Sequence, residues 1–135
     1  MSRVFLDTNI LIYAMDHSDK RKNNTALKLM ARHDRSNGAA ISTQVIQEFF
    51  VVSTGKLKLD PLYAKQAISQ FDFDIINIDM DLINGAIDIH QEFQISFWDS
   101  LIIVSALKAG SDKIYSEDLH HHQRIRSVVI ENPFK

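Results

Sequence analysis

The stretch VFLDTNILIYAMD, Val4 to Asp16, decides how this chain is read. Val4-Phe5-Leu6 is a short apolar run of the kind that forms a strand covered on both faces, and Ile10, Leu11, Ala14 and Met15 then recur at helical spacing. Between them stands Asp7. A carboxylate at the end of a buried strand needs water, a hydrogen-bond donor or a cation. The local provision is an N-cap, in which a side-chain oxygen accepts from an orphan amide of the first helical turn. Taken alone, Asp7 leaves capping and cation binding both open.

Working outward, the same alternation of short apolar runs and longer helical patterns continues to the end of the chain. Strands are expected at Val4-Leu6, Ala39-Ser42, Ile75-Ile78, Lys113-Ser116 and Val128-Ile130. Helices are expected near Asn9-Met15, Asn23-His33, Gln44-Ser53, Pro61-Phe71, Met80-Phe93 and Phe97-Lys108. That rhythm predicts an α/β fold, with a parallel-rich sheet flanked by helices on both faces. Asp60-Pro61 reads as an N-cap and first-turn proline, Asn37-Gly38 as a turn and Ala109-Gly110 as a helix end. No repeat, Pro-rich linker or low-complexity tail breaks the pattern.

A chain of 135 residues, 45% hydrophobic and 24% charged, is long enough for one domain with a real core and short for two. One domain over residues 1–135 is therefore expected. The absence of Cys excludes disulfides, thiolate chemistry and Cys-ligated zinc, and suits a reducing compartment. No apolar run approaches the roughly 20 residues of a membrane span, and Asp7 interrupts anything resembling a signal-peptide core. A cytoplasmic protein without a membrane partner is the expectation.

The formal net charge of -2 argues against coating nucleic acid by bulk charge, which depends on neutralising many phosphates. Any such contact must be local. Lys20-Arg21-Lys22 with Lys28, Arg32 and Arg35, and separately Arg124 and Arg126, are the candidate basic patches, and each also reads as a solvated face.

Four acids stand out on this scaffold. Asp7 and Asp118 each follow a predicted strand, and in an open parallel sheet ligands gather outside the carboxyl ends of the strands. Glu48 lies among Val45, Val51 and Val52, and Asp99 precedes Leu101-Ile102-Ile103-Val104, so both carboxylates are expected to be partly drawn into the interior. Each has an ordinary alternative. Ser96 with Asp99 fits a capping box, Glu48 can lean out into water, and Asp118 can be a turn acid. If the four converge, however, they repel one another, an arrangement that asks for a cation. Oxygen-only ligands with open positions suit Mg²⁺ or Mn²⁺ rather than Zn²⁺.

In order along the chain, FLDTNILIY, STQVIQEF (Ser42 to Phe49), SFWDSLIIVSALKAG (Ser96 to Gly110), IYSEDLHHHQRI (Ile114 to Ile125) and VIENPF resemble the segments of a PIN-domain nuclease. The resemblance is nearest to the small stand-alone VapC-type toxins of toxin–antitoxin pairs. It implies a Mg²⁺- or Mn²⁺-dependent endoribonuclease whose acidic catalytic and metal-binding site maps to Asp7, Glu48, Asp99 and Asp118. Thr8, Asn9 and Ser116 match the small polar residues that line such a site. Ser116 stands where many members carry Thr, and Glu117 adds a competing acid. Asp118 is chosen because the family pattern puts the acid two residues after the hydroxyl. His120-His121-His122 replaces a stretch that often holds glycine, and it reads as a surface loop with no catalytic role.

On this reading Asp7 and Asp99 are primary metal ligands, Asp118 completes the set, and Glu48 orients the attacking water or holds a second ion. The resemblance further implies products with a 5′-phosphate and a 3′-hydroxyl, a cognate antitoxin protein as partner and a homodimer. Single-stranded or looped RNA is the expected substrate, since unstacked segments can bend into a carboxylate-lined cleft. A metal-dependent phosphatase of haloacid-dehalogenase type would want a second Asp where Asn9 stands, and a response receiver would want paired acids after the first strand. A PIN-like scaffold kept as a non-catalytic RNA- or protein-binding module is the other alternative. The cluster Phe49-Phe50-Val51-Val52 reads either as core or as a groove for an antitoxin helix.

Overall fold

Val4–Leu6 (β1) is the strand on which the rest is assembled, with Phe5 and Leu6 both completely buried. In the computed structural model, which describes residues 2–135, it lies inside one six-stranded sheet. The other strands are Ala40–Ser42 (β2), Asp74–Ile76 (β3), Lys113–Tyr115 (β4), Arg124–Ile125 (β5) and Val128–Glu131 (β6), in the order β3-β2-β1-β4-β6-β5. Every pairing is parallel except that of β5 with β6. The helices are Thr8–Met15 (α1), Lys20–Arg32 (α2), Thr43–Gly55 (α3), Pro61–Ser69 (α4), Met80–Phe93 (α5) and Phe97–Lys108 (α6).

The order of strands fixes where a ligand can bind. From β1 the chain moves through α1 to α4 toward β2 and β3 on one side, then returns through α5 and α6 to place β4 on the other side of β1. Right-handed crossovers put these two groups of helices on opposite faces. In keeping with this, α1 packs on α2 and α3, and α5 on α6. The reversal lies between β1 and β4, and in open α/β sheets the binding crevice opens at the carboxyl ends of the strands at such a point.

The structure redraws several boundaries. Strand β3 is Asp74–Ile76 rather than Ile75-Ile78, because the Ile78 N–H turns to the Thr43 hydroxyl (3.2 Å) and Asp79 caps α5 through the Leu82 N–H. Helix α4 stops at Ser69, two residues before the expected end. Phe71 leaves the helix to meet Phe49 edge-on with ring centroids 5.1 Å apart. Helix α2 starts at Lys20, where Asp19 caps it. Strand β5 was not foreseen: two residues offer no alternation to read, and the turn that follows it places Arg126 at φ 53 without a glycine. Gly38 closes its turn at φ 81, and there a Cβ would press within 2.9 Å of the Arg3 side chain. Among the described residues no helix is long and apolar enough to cross a membrane.

Candidate active site

Asp7 is held from three sides. Its N–H donates to the Tyr115 carbonyl (3.0 Å), carrying the β1–β4 pairing one residue further. One carboxylate oxygen then accepts from the Thr8 N–H (2.7 Å), capping α1, and the other accepts from the Ser116 hydroxyl (2.6 Å). The cap thus uses one carboxylate oxygen and leaves the other to Ser116. Asp7 is only 7% exposed. Burial pushes its carboxyl up to about 6, against the Ser116 and Thr8 donors that favour the anion, and the charges of Asp118 and Glu48 push it further.

The other acids are tied to the same few residues. The Thr8 hydroxyl donates to Glu48 Oε1 (3.0 Å), and the Asn9 amide donates to Asp118 Oδ2 (3.2 Å) while its own oxygen accepts from the Glu117 N–H (3.1 Å). The Glu48 carboxyl is raised by burial, opposed by the Thr8 hydroxyl, with Asp118 and Asp99 adding repulsion. The Asp99 carboxyl is raised by burial, opposed by Ser96, with Asp118 adding. All four acids thus share one field at the carboxyl end of β1 and β4. None of them enters an ion pair among the described residues.

Asp99 is partly buried at the third position of α6, where its N–H donates to the Ser96 hydroxyl (3.0 Å). Among the described residues the return bond of a capping box, from the Ser96 N–H to the carboxylate, is not formed. Glu48 differs from expectation in its exposure. The core face of α3 runs through Val45, Phe49 and Ser53, which leaves Glu48 on the exposed side beside a Val51 that is itself 67% exposed. The residue is exposed as a whole, but its carboxyl is half-buried at the rim of the cleft, where the Thr8 hydroxyl holds it.

Geometry separates the two neighbouring acids after β4. Glu117 accepts from the Tyr13 hydroxyl (2.9 Å) and pairs with Lys22 (2.6 Å), whereas Asp118 faces Asn9. Of the basic run, only Lys22 reaches this region, while Arg21 donates to the Phe134 carbonyl. Neither Tyr13 nor Lys56 was expected at the site from the sequence. Both line the cleft of about 260 Å³ that holds Thr8, Asn9, Glu48 and Asp118. The histidine triplet lines a separate opening with Gln123, and the His121 ring accepts from the Asn132 N–H. Arg126 is paired with Glu92.

Ser116 is the joint of the arrangement. Wholly buried, it donates to Asp7 and accepts from the N–H groups of Asp118 (3.1 Å) and Leu119 (3.3 Å). Ser116→Ala should leave those amides short of a partner and lower stability by about 1 to 3 kcal/mol, read by urea unfolding. Unchanged stability would show that the hydroxyl does not hold this turn.

As posed, no three His, Asp or Glu side chains among the described residues are gathered tightly enough to hold an ion. Thr8, Asn9 and Ser116 each hold one of the carboxylates, Glu48, Asp118 and Asp7 in turn.

The fold is shared by solved toxin structures. VapC20 of Mycobacterium tuberculosis, a sarcin-ricin loop cleaving toxin, is 21% identical over 85% of this chain and 89% of its own, with a TM-score of 0.69. A toxin–antitoxin complex from Klebsiella pneumoniae is 22% identical over 96% and 97%, at 0.71. VapBC2 from Rickettsia felis, bound to a DNA fragment from its promoter, is 21% identical over 96% and 98%, at 0.67. No curated protein matches the sequence significantly. At these identities the likeness establishes the fold. The PIN domain model matches residues 4–126, a span that takes in every strand of the parallel sheet but the last and all four acids at its carboxyl end, and the chain accordingly belongs to the PIN domain family.

Proposed function

We propose that this chain is a Mg²⁺- or Mn²⁺-dependent endoribonuclease and the toxin of a toxin–antitoxin pair. One observation carries the reading: Asp7, Glu48 and Asp99 are all raised by burial and by one another or Asp118, with no protein cation among the described residues paired to any of the four. A fold keeps such an arrangement when a cation or a reaction uses it. The donor set is all oxygen, which fits the two hard divalent ions, with Asp7, Asp99 and Asp118 as ligands and Glu48 as a further one.

A bound ion supplies charge neutralisation at the phosphate and a lower pKa for the attacking water. The chain's own residues do the positioning. Ser116 and the Thr8 N–H fix the Asp7 carboxylate, Asn9 fixes Asp118, and the Thr8 hydroxyl holds Glu48 at the rim where it can orient a water. In-line attack then leaves a 5′-phosphate and a 3′-hydroxyl. The cleft is open to an unstacked strand, so single-stranded or looped RNA is the substrate class.

An antitoxin partner has a surface to use. Phe49 is core, but Phe50 (38% exposed), Val51 (67%) and Leu62 (63%) leave an apolar strip on α3 and α4 around a hollow of about 330 Å³. Such a strip suits one face of an amphipathic helix. Two structural neighbours are toxin–antitoxin complexes, which supports this reading, and a homodimer is what the family resemblance adds.

Purified protein should cleave single-stranded RNA with Mg²⁺ or Mn²⁺, lose that activity in chelator and regain it with excess Mg²⁺. Cleavage that persists undiminished after exhaustive chelation would remove the metal from the reaction. Saturable RNA binding with no cleavage under any divalent ion would leave a binding module instead.

A further inference from the structure

Glu48 borders a second opening, of about 270 Å³, shared with Gln44, Gln47 and Trp98. Trp98 is the only tryptophan of the chain, is 64% exposed and immediately precedes Asp99. Its ring meets Phe97 edge-on at 5.2 Å, and its carbonyl accepts from the Gln44 amide (3.3 Å), which ties the start of α6 to α3. Gln44 is 6% exposed, and its buried Oε1 has no donor among the described residues. Reversing the amide gives no relief, since it would set one oxygen against another at the Trp98 carbonyl. An opening with an exposed indole and a buried acceptor that lacks a donor among the described residues thus adjoins the acidic cleft, Glu48 lining both.

We propose that this opening is a nucleobase subsite in which an unpaired base next to the scissile phosphate stacks on Trp98 and turns its polar edge toward Gln44 and Gln47. The inference rests on the ribonuclease reading and adds to it where a substrate is gripped. Proteins that bind single strands usually combine a basic groove with aromatic stacking. Here the neighbouring walls are acidic and the net charge is -2, so stacking must carry an unusual share of the affinity. Every base carries an N–H on its pairing edge that can meet such an acceptor, so stacking and not base identity sets the affinity here. A second copy of this chain seated on the indole is the competing occupant.

Because Trp98 is the only tryptophan, emission excited at the red edge of the tryptophan band, where the three tyrosines do not absorb, reports this opening alone. The probe is a set of short single-stranded oligoribonucleotides of each base, with an abasic sugar-phosphate strand as control, titrated in Mg²⁺ into an Asp7→Asn protein so that cleavage does not intervene. Saturable quenching by the base-bearing strands and none by the abasic strand is expected. By anisotropy of a labelled strand, Trp98→Ala should weaken binding roughly tenfold, the scale of one stacked base, and Trp98→Phe should recover most of it. In the otherwise wild-type enzyme, Trp98→Ala should raise KM more than it lowers kcat. No quenching, together with RNA cleavage by Trp98→Ala at wild-type KM, would overturn the subsite and leave the ribonuclease standing. Quenching in a protein that cleaves no RNA would keep the subsite and remove the ribonuclease. Emission that shifts with protein concentration alone, and no further on adding RNA, would assign the indole to a second copy and also overturn the proposal.

Discussion

Asp7→Asn should abolish RNA cleavage and at the same time make the protein in chelator more stable at pH 8, by up to about 3 kcal/mol. The stability gain follows from where the proton goes. Burial raises the Asp7 carboxyl from 3.8 to about 6, and each pH unit between the folded and unfolded values is worth about 1.4 kcal/mol. Below about pH 4 both states hold the proton and the residue costs nothing. Between about pH 4 and 6 the unfolded chain ionises while the native protein keeps its proton, so native stability falls as pH rises, and above 6 the full penalty of a buried anion is present. Asn carries no charge, but its single amide oxygen can accept from the Thr8 N–H or from the Ser116 hydroxyl and not from both, and the Ser116 oxygen already accepts from the Asp118 and Leu119 N–H groups, so one bond is lost and the gain stays below that ceiling. The variant should therefore gain on the wild type as pH rises through that window and lie at or slightly below it near pH 4. Cleavage, by contrast, should fall roughly a thousandfold or more, because the charge stabilisation that a bound ion provides is worth several kcal/mol. Urea unfolding across pH 4 to 8 in chelator, beside a cleavage assay in Mg²⁺, measures both. Loss of stability at pH 8 would mean that Asp7 is a structural cap first.

The two outcomes at Asp7 show what was legible in the sequence. An acid after a short apolar run marked the end of β1, and the alternation of strands and helices was enough to bring that end beside the end of β4, so Asp7 and Asp118 could be placed together. Glu48 and Asp99 stood out as acids within apolar helices, and the family resemblance supplied Ser116 and the choice of Asp118 over Glu117. Side-chain direction was less legible. Valines around Glu48 suggested burial, but which of them face the core depends on how α3 sits against β2, and Val51 turned outward with the acid. Lys22 and Tyr13, which hold Glu117 away from Asp118, come from α2 and α1 and meet it only through packing. Strand β5 is specified by its antiparallel pairing with β6 and not by any pattern of its own. The opening at Trp98 likewise exists only because α3 and α6 are tied together by the Gln44 amide.

Asp99 sets the metal reading most directly against a structural one. If it only caps α6, Asp99→Asn should weaken a favourable interaction with the helix dipole and lower stability by a few tenths to about 1 kcal/mol, with or without Mg²⁺. The observed geometry favours the opposite sign. The reciprocal capping-box bond is not formed among the described residues, and burial and Asp118 both disfavour the anion at this position. In chelator, removing one charge from the mutually repelling group should leave stability unchanged or raise it. An ion that binds the native site and not the unfolded chain stabilises by RT ln(1 + [L]/Kd), so Mg²⁺ at about 100 times its Kd should raise the wild type by roughly 2.7 kcal/mol. The variant, with fewer charges to share, should gain far less at the same concentration. Thermal unfolding of both proteins in chelator and across a Mg²⁺ titration separates the cases without any assay of activity. An Asp99→Asn protein that is weaker in chelator and gains as much from Mg²⁺ as the wild type would return this residue to its cap and leave the ion to Asp7, Glu48 and Asp118.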